Sequence, residues 1–180
     1  MKNKIILIAV LLISFIFLTC CNSKPVNDTE IISVEIDESW KEILLTDVNT
    51  NEEIKVSDFE GKPILLESFA VWCSTCKLQQ DQIKEFHEEV GESVISISLN
   101  TDSNEDIQTI QEHTSQYGYD WYYVISPVDL TNSLIDQYGV SVVNAPSAPI
   151  ILICEDQTTR FLESGVKDVN DLKEALNQGC

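Results

Sequence analysis

The residues of this chain best suited to chemistry are two cysteines three positions apart, in Trp72-Cys73-Ser74-Thr75-Cys76. An apolar run, Ile64-Leu65-Leu66-Glu67-Ser68-Phe69, precedes them and has the length of a strand buried on both faces. After them, Ile83, Phe86 and Val90 recur at helical spacing through residues 73–90, and Gly91 supplies the stop. A cysteine that opens a helix meets unsatisfied amides and the positive end of the dipole, so its sulfur is held partly as thiolate. Spacing of three within one turn brings the second sulfur close enough to close a small ring. The chemistry this predicts is thiol–disulfide exchange: Cys73 attacks a substrate disulfide, and Cys76 resolves the mixed disulfide. No cofactor is expected, because the disulfide itself carries the electrons.

Zinc fits the pair poorly. It needs four ligands, and no second CxxC or H-x₃₋₅-H follows; His87 and His113 stand apart on helical stretches and are expected to be solvated or half-buried. An inert bridge also fits poorly, because such bridges seldom sit where a strand meets a helix. The other cysteines are 20, 21, 154 and 180. Cys154 lies in an apolar run and reads as core, and Cys180 as frayed tail.

The elements that must position the pair follow from pattern. Residues 31–36 alternate apolar and polar, and residues 43–48 and 54–56 flank Asn49-Thr50-Asn51 as a hairpin. Strands are expected at 63–70, 94–99, 121–125, 150–154 and 159–162. Helices are expected at 73–90, at about 102–116 with Asp102 or Asn104 as cap and Ile107, Ile110 and Tyr117 inward, at 128–138, and after Gly165 with Val169, Leu172 and Leu176 as apolar face. The alternation predicts an α/β protein: a central mixed sheet flanked by helices, closed by an antiparallel hairpin, with an N-terminal β-hairpin extension.

Composition sets limits. A content of 43% hydrophobic and 23% charged residues is that of a globular chain rather than a disordered one. The net charge of −19 repels phosphate backbones and anionic headgroups, so nucleic-acid partners are not expected. Lys2 and Lys4 precede an uncharged apolar run of about 14 residues, shorter than the roughly 20 a spanning helix needs. The N-terminus therefore reads as a signal peptide over residues 1–20 (an uncleaved signal anchor being the alternative), a polar tether over 21–32, and a folded domain over 33–180.

Gly61-Lys62-Pro63-Ile64-Leu65-Leu66-Glu67-Ser68-Phe69-Ala70-Val71-Trp72-Cys73-Ser74-Thr75-Cys76 resembles the thioredoxins, most of all their extracytoplasmic TlpA/ResA-like branch, which reads G-K-x-x-L-L-N-F-W-A-x-W-C-x-x-C. The resemblance extends over about residues 34–177 through Tyr138-Gly139-Val140, a Pro-then-strand segment, and Gly165. It implies a thioredoxin fold, protein thiol and disulfide substrates, a membrane electron donor and flow in the reducing direction. Leu18-Thr19-Cys20-Cys21 resembles a lipoprotein cleavage box, which implies a lipid anchor on Cys21 (Cys20 being the alternative) at the extracytoplasmic face of the membrane. Glu67 stands where the branch carries Asn and thioredoxins a buried Asp, so it is a candidate proton acceptor for Cys76; the alternative places it at a sheet edge or in solvent. Gln79 stands where the branch often carries Glu, so the acid is displaced to Glu67. A cis-proline opposite the cysteines is implied at Pro149, with Pro146 as alternative, making Trp72, Ala148 and Pro149 the expected substrate surface. Related folds with other activities fit less well: peroxidases need a T-x-x-C site, and copper carriers use C-x₃-C with a distant His.

Overall fold

The structure, a computed structural model, describes residues 38–179. The expected signal peptide, tether and 31–36 strand, with Cys20, Cys21 and Cys180, lie outside the described residues. The described chain opens on a 3₁₀ turn, Ser39–Glu42, and a two-stranded hairpin of β1 (Leu45–Thr46) and β2 (Glu53–Ile54), whose tip carries Asn51 at φ 61°. Five further strands form the main sheet: β3 (Ile64–Phe69), β4 (Ile95–Asn100), β5 (Tyr122–Ile125), β6 (Ile150–Ile153) and β7 (Thr159–Phe161). Their order is β5-β4-β3-β6-β7, with β4 parallel to both β3 and β5, and β6 antiparallel to both β3 and β7. Four α-helices complete the described residues: α1 (Ser74–Val90), α2 (Ile107–Tyr117), α3 (Val128–Tyr138) and α4 (Val169–Gly179). This is the thioredoxin arrangement that the sequence implied.

Strand β3 lies in the middle, and all six of its residues are buried. Alternation sends them to two cores. Leu65 and Phe69 pack with Ile83 and Phe86 of α1, Ile110 of α2 and Leu172 of α4. Ile64 and Leu66 pack with Leu130 and Leu134 of α3 and with Trp40. Residue 67 shares the face of Leu65 and Phe69, so pleat geometry alone aims its side chain beneath α1.

The β5 edge is covered rather than left open. The Val48 amide donates to the Tyr123 carbonyl at 2.8 Å, and Asp47 Oδ1 accepts the Tyr123 amide at 2.8 Å. The hairpin thus takes up bonding groups that would otherwise template a foreign strand.

One helix differs from expectation. Asp106, not Asp102 or Asn104, caps α2, accepting the Thr109 amide at 2.9 Å. This start puts Ile107 on the outside, exposed, while Ile110, His113 and Thr114 turn inward. Asp102 is thereby released for a contact at the active site.

Candidate active site

Cys73 is the N-cap of α1. Its backbone is extended (φ −84°, ψ 107°), and its Sγ accepts the Cys76 amide at 3.1 Å, the place usually taken by a Ser or Asp oxygen. The two sulfurs form a disulfide across a Cα–Cα distance of 5.3 Å, and both cysteines are buried. Reduction would leave the first sulfur facing the amides and dipole of a 17-residue helix. Cys76 Sγ lies 3.2 Å from the Ala145 carbonyl oxygen, an acceptor for its thiol once reduced.

The approach to Cys73 is held from the β4–α2 loop. Trp72 is 63% exposed, and its indole Nε1 donates to Asp102 Oδ2 at 2.6 Å. The Asn104 amide, with the indole as the next contributor, holds the Asp102 carboxyl below the usual carboxylate range. Glu105 grips the backbone itself: Oε2 accepts the Val71 amide at 2.9 Å and Oε1 the Trp72 amide at 3.3 Å. Between this loop and the segment before β6 runs a groove of about 300 Å³, lined among others by Trp72, Asp102, Ser103, Asn144, Ala145 and Pro146.

The proline expectation is corrected. No peptide bond among the described residues is cis, so neither Pro149 nor Pro146 supplies a cis-proline. The chain reverses at Ala148 instead, which adopts a left-handed conformation (φ 47°, ψ 57°) between a 3₁₀ turn, Ala145–Ser147, and β6. Ala148 and Pro149 are buried, and both backbone groups of Ala148 are engaged internally: its amide with Ala145 and its carbonyl with Lys167. Ala145 and Pro146 are the residues that face the cysteines and the groove.

Glu67 is 2% exposed in the central strand, which disposes of the sheet-edge alternative. Its Oε1 accepts from Ser98 Oγ at 2.5 Å and from Gln80 Nε2 at 2.9 Å. Burial pushes its carboxyl up to about 7, against the pull of Ser98, Gln80 and Lys167. The network continues outward: Gln80 Oε1 pairs with His113 Nε2 at 2.7 Å, and the Trp121 indole donates to Ser98 Oγ at 2.8 Å. His113 is therefore buried, not solvated or half-buried as its sequence position suggested, and burial lowers its pKa. The other histidine, His87, is partly buried as expected, with Nε2 2.8 Å from Ser96 Oγ. Cys154 lies buried at the end of β6.

Lys167, in the segment before α4, is a buried cation on the same side. Its Nζ donates to the Ala148 carbonyl at 2.6 Å. Gln79 clamps its backbone in both directions, accepting the Lys167 amide at 2.7 Å and donating to its carbonyl at 3.1 Å. Burial pushes the ammonium down to about 8, while Glu67 and Asp171 pull it upward. Sequence reasoning missed Gln80, Lys167, Ser98 and Glu105 as site residues. Gln80 was within reach, lying one turn after Cys76 on the same helix face. Ser98, Lys167 and Glu105 arrive from distant segments and leave no local pattern.

The fold and site define a thioredoxin-fold protein with a CxxC disulfide at the head of its first helix. The redoxin family model matches residues 31–177, and the chain belongs to that family. A thioredoxin of Alicyclobacillus acidocaldarius subsp. acidocaldarius is 34% identical over 74 residues, 41% of this chain and 61% of the thioredoxin, so the chain spans about three-fifths of that relative. The thiol-disulfide oxidoreductase ResA of Geobacillus thermodenitrificans is 20% identical over 82% of this chain and 80% of its own. Among solved structures, a putative electron transport protein from Aquifex aeolicus VF5 superposes with a TM-score of 0.62 at 20% identity, covering 76% of this chain and 92% of that one. A secreted Mycobacterium tuberculosis disulfide oxidoreductase superposes with a TM-score of 0.58 at 16% identity, covering 79% and 98%.

Proposed function

We propose that this protein is a thiol–disulfide oxidoreductase that reduces disulfides of protein substrates through Cys73 and Cys76. The observation that carries this reading is the placement of the Cys73 sulfur on the amides that open α1, with Cys76 one turn behind it. The ResA relatives and the redoxin match support the same class.

In the proposed cycle the Cys73 thiolate attacks one sulfur of a substrate disulfide, and the substrate's other sulfur leaves as a thiolate. The Cys76 thiol then gives up its proton and attacks Cys73. The Cys73–Cys76 bond forms, and the second substrate thiolate departs. Glu67 is the proposed proton acceptor. Among the described residues no hydrogen bond joins it directly to either sulfur, its partners being Ser98 and Gln80, so the proposed transfer is water-mediated rather than direct. A carboxyl poised at about 7 is half ionised at neutral pH and both takes and returns a proton. The exposed Trp72 ring and the Asn144-Ala145-Pro146 side of the groove form the proposed substrate surface, with Ala148 and Pro149 buttressing it from behind.

The Leu18-Thr19-Cys20-Cys21 pattern supports a place at the extracytoplasmic face of the membrane, anchored through Cys21 and supplied with electrons by a membrane donor. The likeness to ResA and to a secreted mycobacterial disulfide oxidoreductase agrees with that class of protein. Trapping tests the exchange. Cys76→Ser is expected to accumulate mixed disulfides with partner proteins through Cys73, and Cys73→Ser few. Equal trapping by the two variants would reverse or remove the assigned roles.

A further inference from the structure

Glu105 holds a carboxylate against the peptide that delivers the reactive cysteine, and it does so with both oxygens. Oε2 accepts the Val71 amide at 2.9 Å and also the Asn100 side-chain amide, and Oε1 accepts the Trp72 amide at 3.3 Å. Trp72 is the residue immediately before Cys73, so a fixed acidic group stands one residue from the N-cap of α1. The other charges nearby do not offset it. Asp102, on the same loop and held by the Trp72 indole and the Asn104 amide, carries the same sign. Lys77, just beyond Cys76, is spoken for by Asp81 at 2.6 Å. The helix amides favour a Cys73 thiolate, and Glu105 opposes it.

We propose that Glu105 is a positioning residue whose charge keeps the Cys73–Cys76 pair reducing, by disfavouring the Cys73 thiolate while its oxygens fix the Val71–Trp72 backbone. The proposal rests on the exchange reading above and adds direction to it. Reduction of the Cys73–Cys76 disulfide consumes two electrons and two protons, delivered by two thiols of a donor that become a disulfide. Any group that stabilises the resulting thiolate stabilises the reduced form and makes the pair more oxidising. A carboxylate beside Cys73 acts in the opposite sense.

The test is the redox equilibrium of the full chain with dithiothreitol and its cyclic disulfide, for the wild type, Glu105→Gln and Glu105→Asp. The Gln variant keeps the shape and an acceptor for Val71 but loses the charge. The Asp variant keeps the charge but is one methylene short. The expected result is an equilibrium constant shifted about fivefold toward the dithiol in Glu105→Gln, about 20 mV less reducing, with faster iodoacetamide alkylation of Cys73 at mildly acidic pH. Glu105→Asp is expected to stay nearer the wild type in both readouts. An unshifted Glu105→Gln overturns the proposal, as does an Asp variant shifted as far as the Gln variant, since the backbone strap rather than the charge would then set the potential. If the wild-type pair does not equilibrate with dithiothreitol at all, the exchange reading fails first, and visibly so.

Discussion

Gln80 Nε2 donates to Glu67 Oε1 at 2.9 Å, tying the buried carboxyl of β3 to the helix turn that follows Cys76. Ser98 takes the opposite flank of the same oxygen. The carboxyl is thus oriented from strand and helix together, which suits the proton-transfer role proposed for it.

Replacing Glu67 with Gln keeps the acceptor and removes the base. The step in which Cys76 attacks Cys73 is expected to slow about 100-fold or more at pH 7, the range of a lost general base. In the wild type this step is expected to gain rate as pH rises through about 7 and Glu67 ionises. The profile of Glu67→Gln is expected to lose that rise. Stopped-flow resolution of a preformed mixed disulfide reads both effects, and an unchanged rate would remove Glu67 from the mechanism.

The same residue makes stability depend on pH. Its folded pKa of about 7 lies above the ordinary carboxyl value of 4.5, so between the two the folded state holds a proton that the unfolded chain has released. The contribution is fully present below about 4.5 and is lost as pH rises through about 7, a swing of up to about 3 kcal/mol. Urea unfolding at pH 5 and pH 8 is expected to show Glu67→Gln gaining on the wild type at the higher pH. A constant difference between the two proteins would contradict the buried, perturbed carboxyl.

Lys167 pulls the Glu67 carboxyl downward. Lys167→Met, which keeps the length and the apolar stem, is expected to raise the Glu67 pKa and move the midpoint of the pH–rate profile upward. A midpoint that stays in place would separate the two groups electrostatically, whatever happens to the rate.

Gln79 is fully buried and closes two hydrogen bonds on the Lys167 backbone, linking α1 to the entry of α4. Gln79→Ala strands a buried amide and carbonyl and is expected to cost about 1–3 kcal/mol in chemical unfolding. A loss near zero would mean that water replaces the clamp without strain.

Much of this was legible in the chain itself. The Ile64–Phe69 strand, the α1 pattern with Gly91 at its end, and the 128–138 helix stand almost where periodicity put them, because each buries a face and so carries a repeating signal. The CxxC pair was legible for the same reason, its strand–helix context being local. Asp106 as the cap of α2 was missed because Asp102, Asn104 and Asp106 are all chemically able to cap, and only the register of the inward residues chooses among them. The reversal at Ala148 was missed because two Ala-Pro pairs offer the same local chemistry, and the bond from Lys167 to its carbonyl comes from a segment nineteen positions away. Glu105 and Lys167 act through contacts across the fold, which no window along the chain contains.

The central claim is that Cys73 and Cys76 form a reducing exchange pair, and the most direct test is its reduction potential in the folded protein with Cys154 and Cys180 changed to Ser. A value near the thioredoxin range of about −270 mV is predicted. A value near about −120 mV, that of a strong disulfide donor, would contradict it and reverse the direction of electron flow.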